Sequence, residues 1–222
     1  MSRQFARSLA RAAIGRGEPL AWLEQLYAQV ESAGHSVVPW ADLEPNPNLV
    51  AWLDREQLDG AGKSALVVGC GLGDDAEELC RRGFQVTAFD VSPSAVAQAA
   101  KRFPESAVEY VAADLFEPPQ EWTRRYDLVH EAYTLQVLPR GLRAKAVGQL
   151  AGFVSPDGIL LMIARARDAA EELGEMPWPL TSTELEAASR LGLERISFED
   201  YLDDERPRVR RFRAVYKRRL NR

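Results

Sequence analysis

The sequence predicts an α/β protein whose mostly parallel sheet carries helices on both faces and closes in a C-terminal antiparallel hairpin. Three observations carry that expectation. From Ser64 to Ala164, short apolar runs alternate with segments of helical period. The glycine-rich string LVVGCGLGDD, residues 66–75, stands where one of those runs gives way to a helix. Beyond residue 192, two segments of strand composition, Leu193–Tyr201 and Arg211–Tyr216, are joined by a short polar turn.

Taken in order, residues 4–14 and 20–32 place apolar groups at helical spacing, the second through Leu20, Leu23, Leu26, Tyr27 and Val30. Both are expected as helices packed outside the sheet. Pro39, Pro45 and Pro47 around Trp40 cannot sustain a helix, since each proline lacks an amide donor, so this stretch is expected as an extended linker into a short helix over Asn48–Leu58. Ser64–Val68 is a continuous apolar strand, Asp74–Arg82 a helix and Phe84–Phe89 a second strand, which together make a βαβ unit. Ser92 as N-cap and Pro93 at the first helical position begin a helix that runs through alanines to about Phe103. Val108–Ala112 and Tyr126–Val129 are the third and fourth strands, Leu142–Phe153 a helix, and Pro156, Asp157 and Gly158 a turn into the buried strand Ile159–Ala164. After a loop at Pro177, Trp178 and Pro179, Thr181 and Glu184 form a capping box for a helix ending near Gly192. The hairpin brings the count to seven strands. Residues 1–38 are expected as an N-terminal helical appendage to a main domain over 39–222, the whole forming one globular unit.

A chain of 222 residues, 46% hydrophobic and 27% charged, can bury one substantial core. Its net charge of −5 gives no global attraction to nucleic acid or to an anionic membrane, which favours a small-molecule partner and a monomer or weak homodimer. The longest apolar stretches, such as Ile159–Ala164, fall far short of the roughly 20 residues a membrane helix needs. Arg3, Arg7 and Arg11 are followed by no apolar signal core, which argues for a plain N-terminal helix. Cys70 and Cys80 have neither disulfide nor zinc spacing, so no metal is expected, and a reducing, cytoplasmic compartment is. The basic run from Arg206 to Arg222 fits a half-buried strand: Arg211, Arg213 and Val215 alternate with Phe212, Ala214 and Tyr216, and Asp203, Asp204 and Glu205 offset part of the charge.

The glycines of residues 69–73 lie where the chain leaves a strand, and their missing side chains let a ligand approach the backbone. About 20 residues on, Asp90 ends the second strand, where a carboxylate accepts hydrogen bonds from the two hydroxyls of an adenosine ribose. Both NAD and S-adenosylmethionine present that ribose. Counted from Gly71, the residues Gly71, Gly73 and Ala76 form a valid dinucleotide pattern. Counted from Gly69, the third position is Asp74, which with Asp75 repels a diphosphate and suits a cofactor carrying an ammonium and a sulfonium. The second frame is preferred because the apolar strand stops at Val68. After the third strand, Asp114 is placed to bond an adenine amino group and Leu115 to pack on its ring, the alternative for Asp114 being a loop cap.

The ordered set LVVGCGLGDD, AFDVSP, AADL, YDLVHEAYTLQVLP and the strand after PDG resembles the class I S-adenosylmethionine-dependent methyltransferases over about residues 39–216. The resemblance implies a Rossmann-like sheet, S-adenosylmethionine as cofactor, and cofactor contacts at Gly69, Cys70, Gly71, Gly73, Asp90, Val91, Asp114, Leu115 and His130. Within that superfamily the pair Pro39 and Trp40 is similar to the thiopurine S-methyltransferase-like group of thiol, halide and tellurite methyltransferases. In that group the N-terminal segment closes over the cofactor, which implies a cofactor contact for Trp40; the other role for it is a core tryptophan pinning the linker. The substrate-binding arginine expected after the fourth strand in thiopurine enzymes has no clear match, Arg140 being the nearest.

Methyl transfer is an in-line displacement that needs alignment and exclusion of water more than a catalytic triad. A thiol acceptor, with a pKa near 8.5, needs little base catalysis, whereas oxygen or nitrogen acceptors need more. By position His130 and Glu131 are the candidate bases, with Tyr133 beside them; the alternative for His130 is a hydrogen bond to the loop or a contact with the cofactor, and for Glu131 and Tyr133 a role in shaping the pocket. Met176 and Trp178, in EMPWPL, are placed as an apolar lid over the acceptor or as a plug between loop and helix. Transfer to a small thiol or other soft nucleophile is the leading expectation. An NAD-dependent oxidoreductase using the Gly71 frame and a non-catalytic S-adenosylmethionine-binding protein are the alternatives.

Overall fold

A computed structural model describes residues 2–219; Met1 and residues 220–222, including the Arg222 end of the basic run, lie outside the described residues. Seven strands form one sheet in the order β3-β2-β1-β4-β5-β7-β6, where β1 is Ser64–Val68, β2 Gln85–Asp90, β3 Glu109–Ala112, β4 Tyr126–Ala132, β5 Val154–Arg165, β6 Leu193–Leu202 and β7 Arg210–Arg218. The first five run parallel, and β7 lies antiparallel between β5 and β6. The expected architecture is present: a Rossmann-like sheet closed by a hairpin. The second hairpin strand is the interior one, which explains why Arg211 and Arg213 are buried rather than half-buried.

Pleat alternation sorts the sheet residues to two faces. Ala65, Val67, Leu128, Leu161 and Ile163 pack beneath Leu49, Trp52, Leu53, Ala76 and Leu79, which belong to the helices α4 (Pro47–Glu56) and α5 (Asp74–Arg81). Leu66, Val68, Val129, Leu160 and Met162 pack against Ala146, Val147 and Leu150 of α7 (Arg140–Phe153). The helix α6 (Pro93–Arg102) begins as expected, with the Ser92 hydroxyl accepting from the Ala95 amide at 3.0 Å. The Thr181–Glu184 capping box is formed, but it opens only the short α8 (Ser182–Glu186), after which the chain tightens into a 3₁₀ turn ending at Gly192.

The structure revises several expected boundaries. The helix expected over 20–32 is broken into α2 (Ala21–Tyr27) and α3 (Val30–Ala33), because the chain tightens at Gln29, whose amide bonds to Leu26. That places both Tyr27 and Val30 in the core. The linker ends at Asn46, whose side chain caps α4 by accepting from the Asn48 amide at 3.0 Å, with Pro47 as the first helical residue. β4 runs three residues past Val129, since β1 and β5 flank it as far as Glu131 and Ala132. β5 starts at Val154, and its pairing with β4 jumps from Val154 to Ile159 around the Pro156–Gly158 turn, with Asp157 at φ 62°.

The N-terminal segment is joined to the sheet by a third apolar cluster. Trp22, Leu26, Tyr27 and Val30, with Ala6, Ala10 and Ala13 of α1 (Ser2–Gly15), pack on Leu72, Ala95 and Met176. Glu24 pins this layer to the start of α6, accepting from the Ser92 hydroxyl at 2.6 Å and from the Ser94 amide and hydroxyl at 3.1 and 2.6 Å. Among the described residues no helix is long and apolar enough to cross a membrane.

Candidate active site

The C-terminal ends of β1, β2, β4 and β5 open into a cavity of about 560 Å³, within the range of small-molecule sites. This is the edge of an open α/β sheet where ligands bind, because loops diverge there and leave a crevice. Tyr27, Leu23 and Ala6 form its roof, and Pro39 and Trp40 of the linker form one side.

At the glycine turn the need for glycine comes from backbone and neighbours together. Gly69, Gly71 and Gly73 have φ of 65°, 53° and 93°, where a Cβ is strained. A Cβ at Gly69 would strike the Thr134 hydroxyl, one at Gly71 would lie 2.9 Å from the Tyr27 hydroxyl, and one at Gly73 2.5 Å from the Tyr110 hydroxyl. Gly69, Cys70 and Gly71 line the cavity. Gly73 does not: it packs against Tyr110 and α6, so its expected cofactor contact gives way to a packing role. Burial pushes the Cys70 thiol well up, which leaves it a poor nucleophile.

Asp90 stands at the cavity wall, 5% exposed. Its Oδ2 accepts from the Gly71 amide and its Oδ1 from the Ser92 amide, both at 3.0 Å. Burial pushes it up to about 6 against those backbone donors. Each oxygen keeps a further lone pair for a ligand hydroxyl. Val91 and Leu115 also line the cavity, and Ala113 and Phe116 complete an apolar slot suited to a purine. Asp114 is absent from the wall, and its Oδ1 accepts from the Phe116 amide at 2.8 Å. Asp114 thus caps the loop through one oxygen, beside the cavity-lining Leu115 and Phe116.

Both members of the acidic pair after the turn are engaged within the protein. Asp74 forms a two-pronged pair with Arg102 at 2.7 Å, and Asp75 accepts from the Asn46 amide at 2.7 Å and lies 3.0 Å from His130 Nε2. Both residues line the cavity, yet the charge of Asp74 is met by Arg102, so the expected repulsion of a diphosphate is weaker than the sequence implies.

His130 and Glu131 are fully buried inside β4 and do not line the cavity. Their expected roles as bases and, for His130, as a cofactor contact fail geometrically, because the strand continues past them. Glu131 instead holds the following loop: Oε1 accepts from the Leu135 amide at 2.9 Å, and burial pushes the carboxyl up to about 7. Tyr133 does reach the cavity, from a left-handed backbone at φ 67°. The Arg211 guanidinium lies 4.7 Å over its ring, and its hydroxyl is 3.3 Å from Asn48 Nδ2. Trp40 lines the cavity while donating to the Tyr27 hydroxyl at 3.1 Å, and it stacks edge-on against Trp22. Met176 is in the wall, 4% exposed. Trp178 lies behind it, outside the wall, with Arg143 5.8 Å over its ring. Arg140 belongs to a separate pocket with Arg143 and Arg167, so it is no part of this site.

Sequence reasoning missed Tyr27, Thr134, Gln136, Arg165 and Arg211 in the wall. Arg165 was within reach of the rule that ligands meet strand ends, since it ends β5. Among the described residues no cluster of three His, Cys, Asp or Glu is poised for a metal.

Comparison with known proteins agrees with this geometry. Residues 65–158 match the family model described as "Methyltransferase domain". The ubiquinone biosynthesis O-methyltransferase of Pseudomonas savastanoi pv. phaseolicola is 36% identical over 96 residues, which are 42% of this chain and 41% of that protein. The match thus spans about two fifths of the relative's length. Among solved structures, the [4+2]-cyclase SpnF superposes with a TM-score of 0.73 at 18% identity, covering 91% of this chain and 97% of that one. A 1,6-didemethyltoxoflavin-N1-methyltransferase from Burkholderia thailandensis, solved with bound 1,6-didemethyltoxoflavin and S-adenosylhomocysteine, gives 0.69 at 18% identity over 89% and 88% of the two chains. Residues 65–158 thus resemble a methyltransferase domain in sequence, and the chain has the Rossmann-like fold that these neighbours share. The cyclase shares that fold, so the fold alone does not fix the reaction.

Proposed function

We propose that the protein is an enzyme that transfers the methyl group of S-adenosylmethionine to a small molecule. The observation that carries this is the Asp90 carboxylate, braced by the Gly71 and Ser92 amides at the edge of a cavity whose glycine turn falls in the segment matched by the methyltransferase family model. The donor set fits the cofactor: Asp90 for the ribose hydroxyls, the Leu115–Phe116 slot for adenine, and the backbone of Gly69–Gly71 along the chain between. When bound, S-adenosylmethionine supplies an electrophilic methyl whose bond to the sulfonium breaks as an acceptor lone pair attacks in line, the bonding pair returning to sulfur. The protein's part is alignment and exclusion of water. Tyr27 roofs the cavity, Trp40 walls one side, Met176 closes its acceptor side, and Glu131 fixes the loop that carries Tyr133 and Thr134.

With His130 and Glu131 away from the cavity, an acceptor that ionises by itself is favoured, such as a thiol or another soft nucleophile. The linker with Trp40 against the cavity supports a thiopurine S-methyltransferase-like arrangement. A second reading, transfer to an acidic oxygen, is favoured by the curated relatives, which are O-methyltransferases. The net charge of −5 and two free cysteines support a small-molecule acceptor, a monomer or weak homodimer, and a cytoplasmic setting. Residues 39–222 form the methyltransferase domain in this reading, and 1–38 its roof. Calorimetric titration with S-adenosylhomocysteine tests the proposal. Micromolar or tighter binding is expected, and absence of binding, or preferential binding of NADH, overturns it. Binding with only background turnover on a panel of thiols and phenols would support the non-catalytic alternative.

A further inference from the structure

Across the β5–β7 ladder, Arg165 and Arg211 are directly opposite each other. Opposite residues on antiparallel strands project to the same face with Cβ atoms about 5 Å apart, and like charges there repel. Arg211 is compensated, donating to Asp203 at 2.7 Å and to Glu205, and lying over the Tyr133 ring. Arg165 is not: among the described residues its guanidinium has no hydrogen bond or ion pair, although its backbone amide is held by Gln136 at 3.0 Å. Both arginines line the cavity, as do Arg3 and Arg206. Burial first, and then the neighbouring charges of Arg211 and Arg3, push the Arg165 guanidinium down, with Glu205 and Tyr133 opposing them.

A half-buried guanidinium without a hydrogen-bonding partner costs the empty protein stability, and an anion entering from the cavity removes that cost. In sheet order Arg165 stands three strand spacings from Asp90, about 14 Å, so this cation lies at the far end of the cavity from the ribose carboxylate. We propose that Arg165 is the anion-binding residue of the acceptor subsite, and that the methyl acceptor is a small molecule carrying a carboxylate that pairs with it. A monoanion is the better match, since the positive charge of Arg211 is already met by Asp203 and Glu205. The planar fork of the guanidinium suits a carboxylate in two-pronged contact, with Tyr133 beside it and Met176 and Pro177 supplying apolar cover. This deepens the methyl-transfer reading and rests on it.

The test titrates protein saturated with S-adenosylhomocysteine against matched probes, 4-mercaptobenzoate, 3-mercaptopropionate and 4-hydroxybenzoate, each beside its primary amide. At least one carboxylate should bind about tenfold more tightly than its amide, a preference that Arg165→Gln brings to within about twofold and Arg165→Lys retains in part. Affinity for S-adenosylhomocysteine itself should be unchanged in both variants, and the melting temperature of Arg165→Gln should be equal or higher, since an unpaired half-buried charge is removed. No carboxylate preference in the native protein, or one that survives Arg165→Gln, overturns the proposal. A loss of S-adenosylhomocysteine affinity in Arg165→Gln also overturns it, by assigning the guanidinium to the cofactor's own carboxylate. Failure of the native protein to bind S-adenosylhomocysteine would instead sink the methyltransferase reading beneath it.

Discussion

The Gly71 amide donates to Asp90 Oδ2 at 3.0 Å, tying the glycine turn to the end of β2. One carboxylate therefore shapes the turn and faces the cavity. Asp90→Ala should weaken S-adenosylhomocysteine binding by about 1–3 kcal/mol, the loss typical of charged hydrogen bonds. The affinity should also depend on pH. Burial pushes Asp90 up to about 6, and ribose hydroxyls bind the ionised form, so binding should weaken as pH falls through about 6 and level off above it. Titrations across that interval check both statements, and a flat profile would show that Asp90 does not meet the ligand.

Gly71→Ala should destabilise the protein on two counts. The left-handed backbone at φ 53° costs an alanine about 1–2 kcal/mol, and the new Cβ meets the Tyr27 hydroxyl. Tyr27→Phe removes only the second cost. In a double-mutant cycle by chemical denaturation, the pair should therefore be less destabilised than the sum of the singles. Strict additivity would place Tyr27 away from the turn.

Glu131 provides a stability signature. Its carboxyl is pushed up to about 7 in the folded protein, above the unfolded value, so its contribution is fully present below the unfolded pKa and is lost as pH rises to about 7. Glu131→Gln abolishes that titration while keeping an oxygen for the Leu135 amide. Relative to the native protein, the variant should gain stability between about pH 5 and pH 8, by up to about 3 kcal/mol. Thermal melts at the two pH values measure the difference, and a constant offset would refute it.

Asp74 separates two accounts of the acidic pair. If its charge serves the cofactor, Asp74→Asn should weaken S-adenosylhomocysteine binding; because the side chain is committed to Arg102, binding should change by less than about threefold. Stability should instead fall by about 1–3 kcal/mol, since Arg102 loses its carboxylate in a mostly buried setting. Calorimetry and melting temperature, taken on the same sample, distinguish the outcomes.

Particular residues show where the sequence was legible. Val68, Ser92, Pro93, Thr181 and Glu184 mark element ends through local chemistry, such as a proline without a donor or a hydroxyl that caps an amide, and the structure keeps each of them. The roles of His130, Glu131 and Asp114 depend on how far β4 runs and on which way a loop amide points. Neither is a local property. Tyr27 reads only as a helix-face residue for the same reason, since only packing brings α2 over the glycine turn, and only the pairing of β7 beside β5 sets Arg211 against Arg165.

The sequence by itself determined the layering of the fold, the glycine turn with Asp90 and the capped helix starts, since hydrophobic period, backbone restriction and capping act within a few residues. Tertiary structure alone decided which polar groups are spent on one another, as in Asp74 with Arg102 and Asp75 with His130, and which, like Arg165, stay uncompensated at the cavity. Coulomb and hydrogen-bond energies depend on distances across strands and helices far apart in the chain, and on the burial that makes an unmet charge costly.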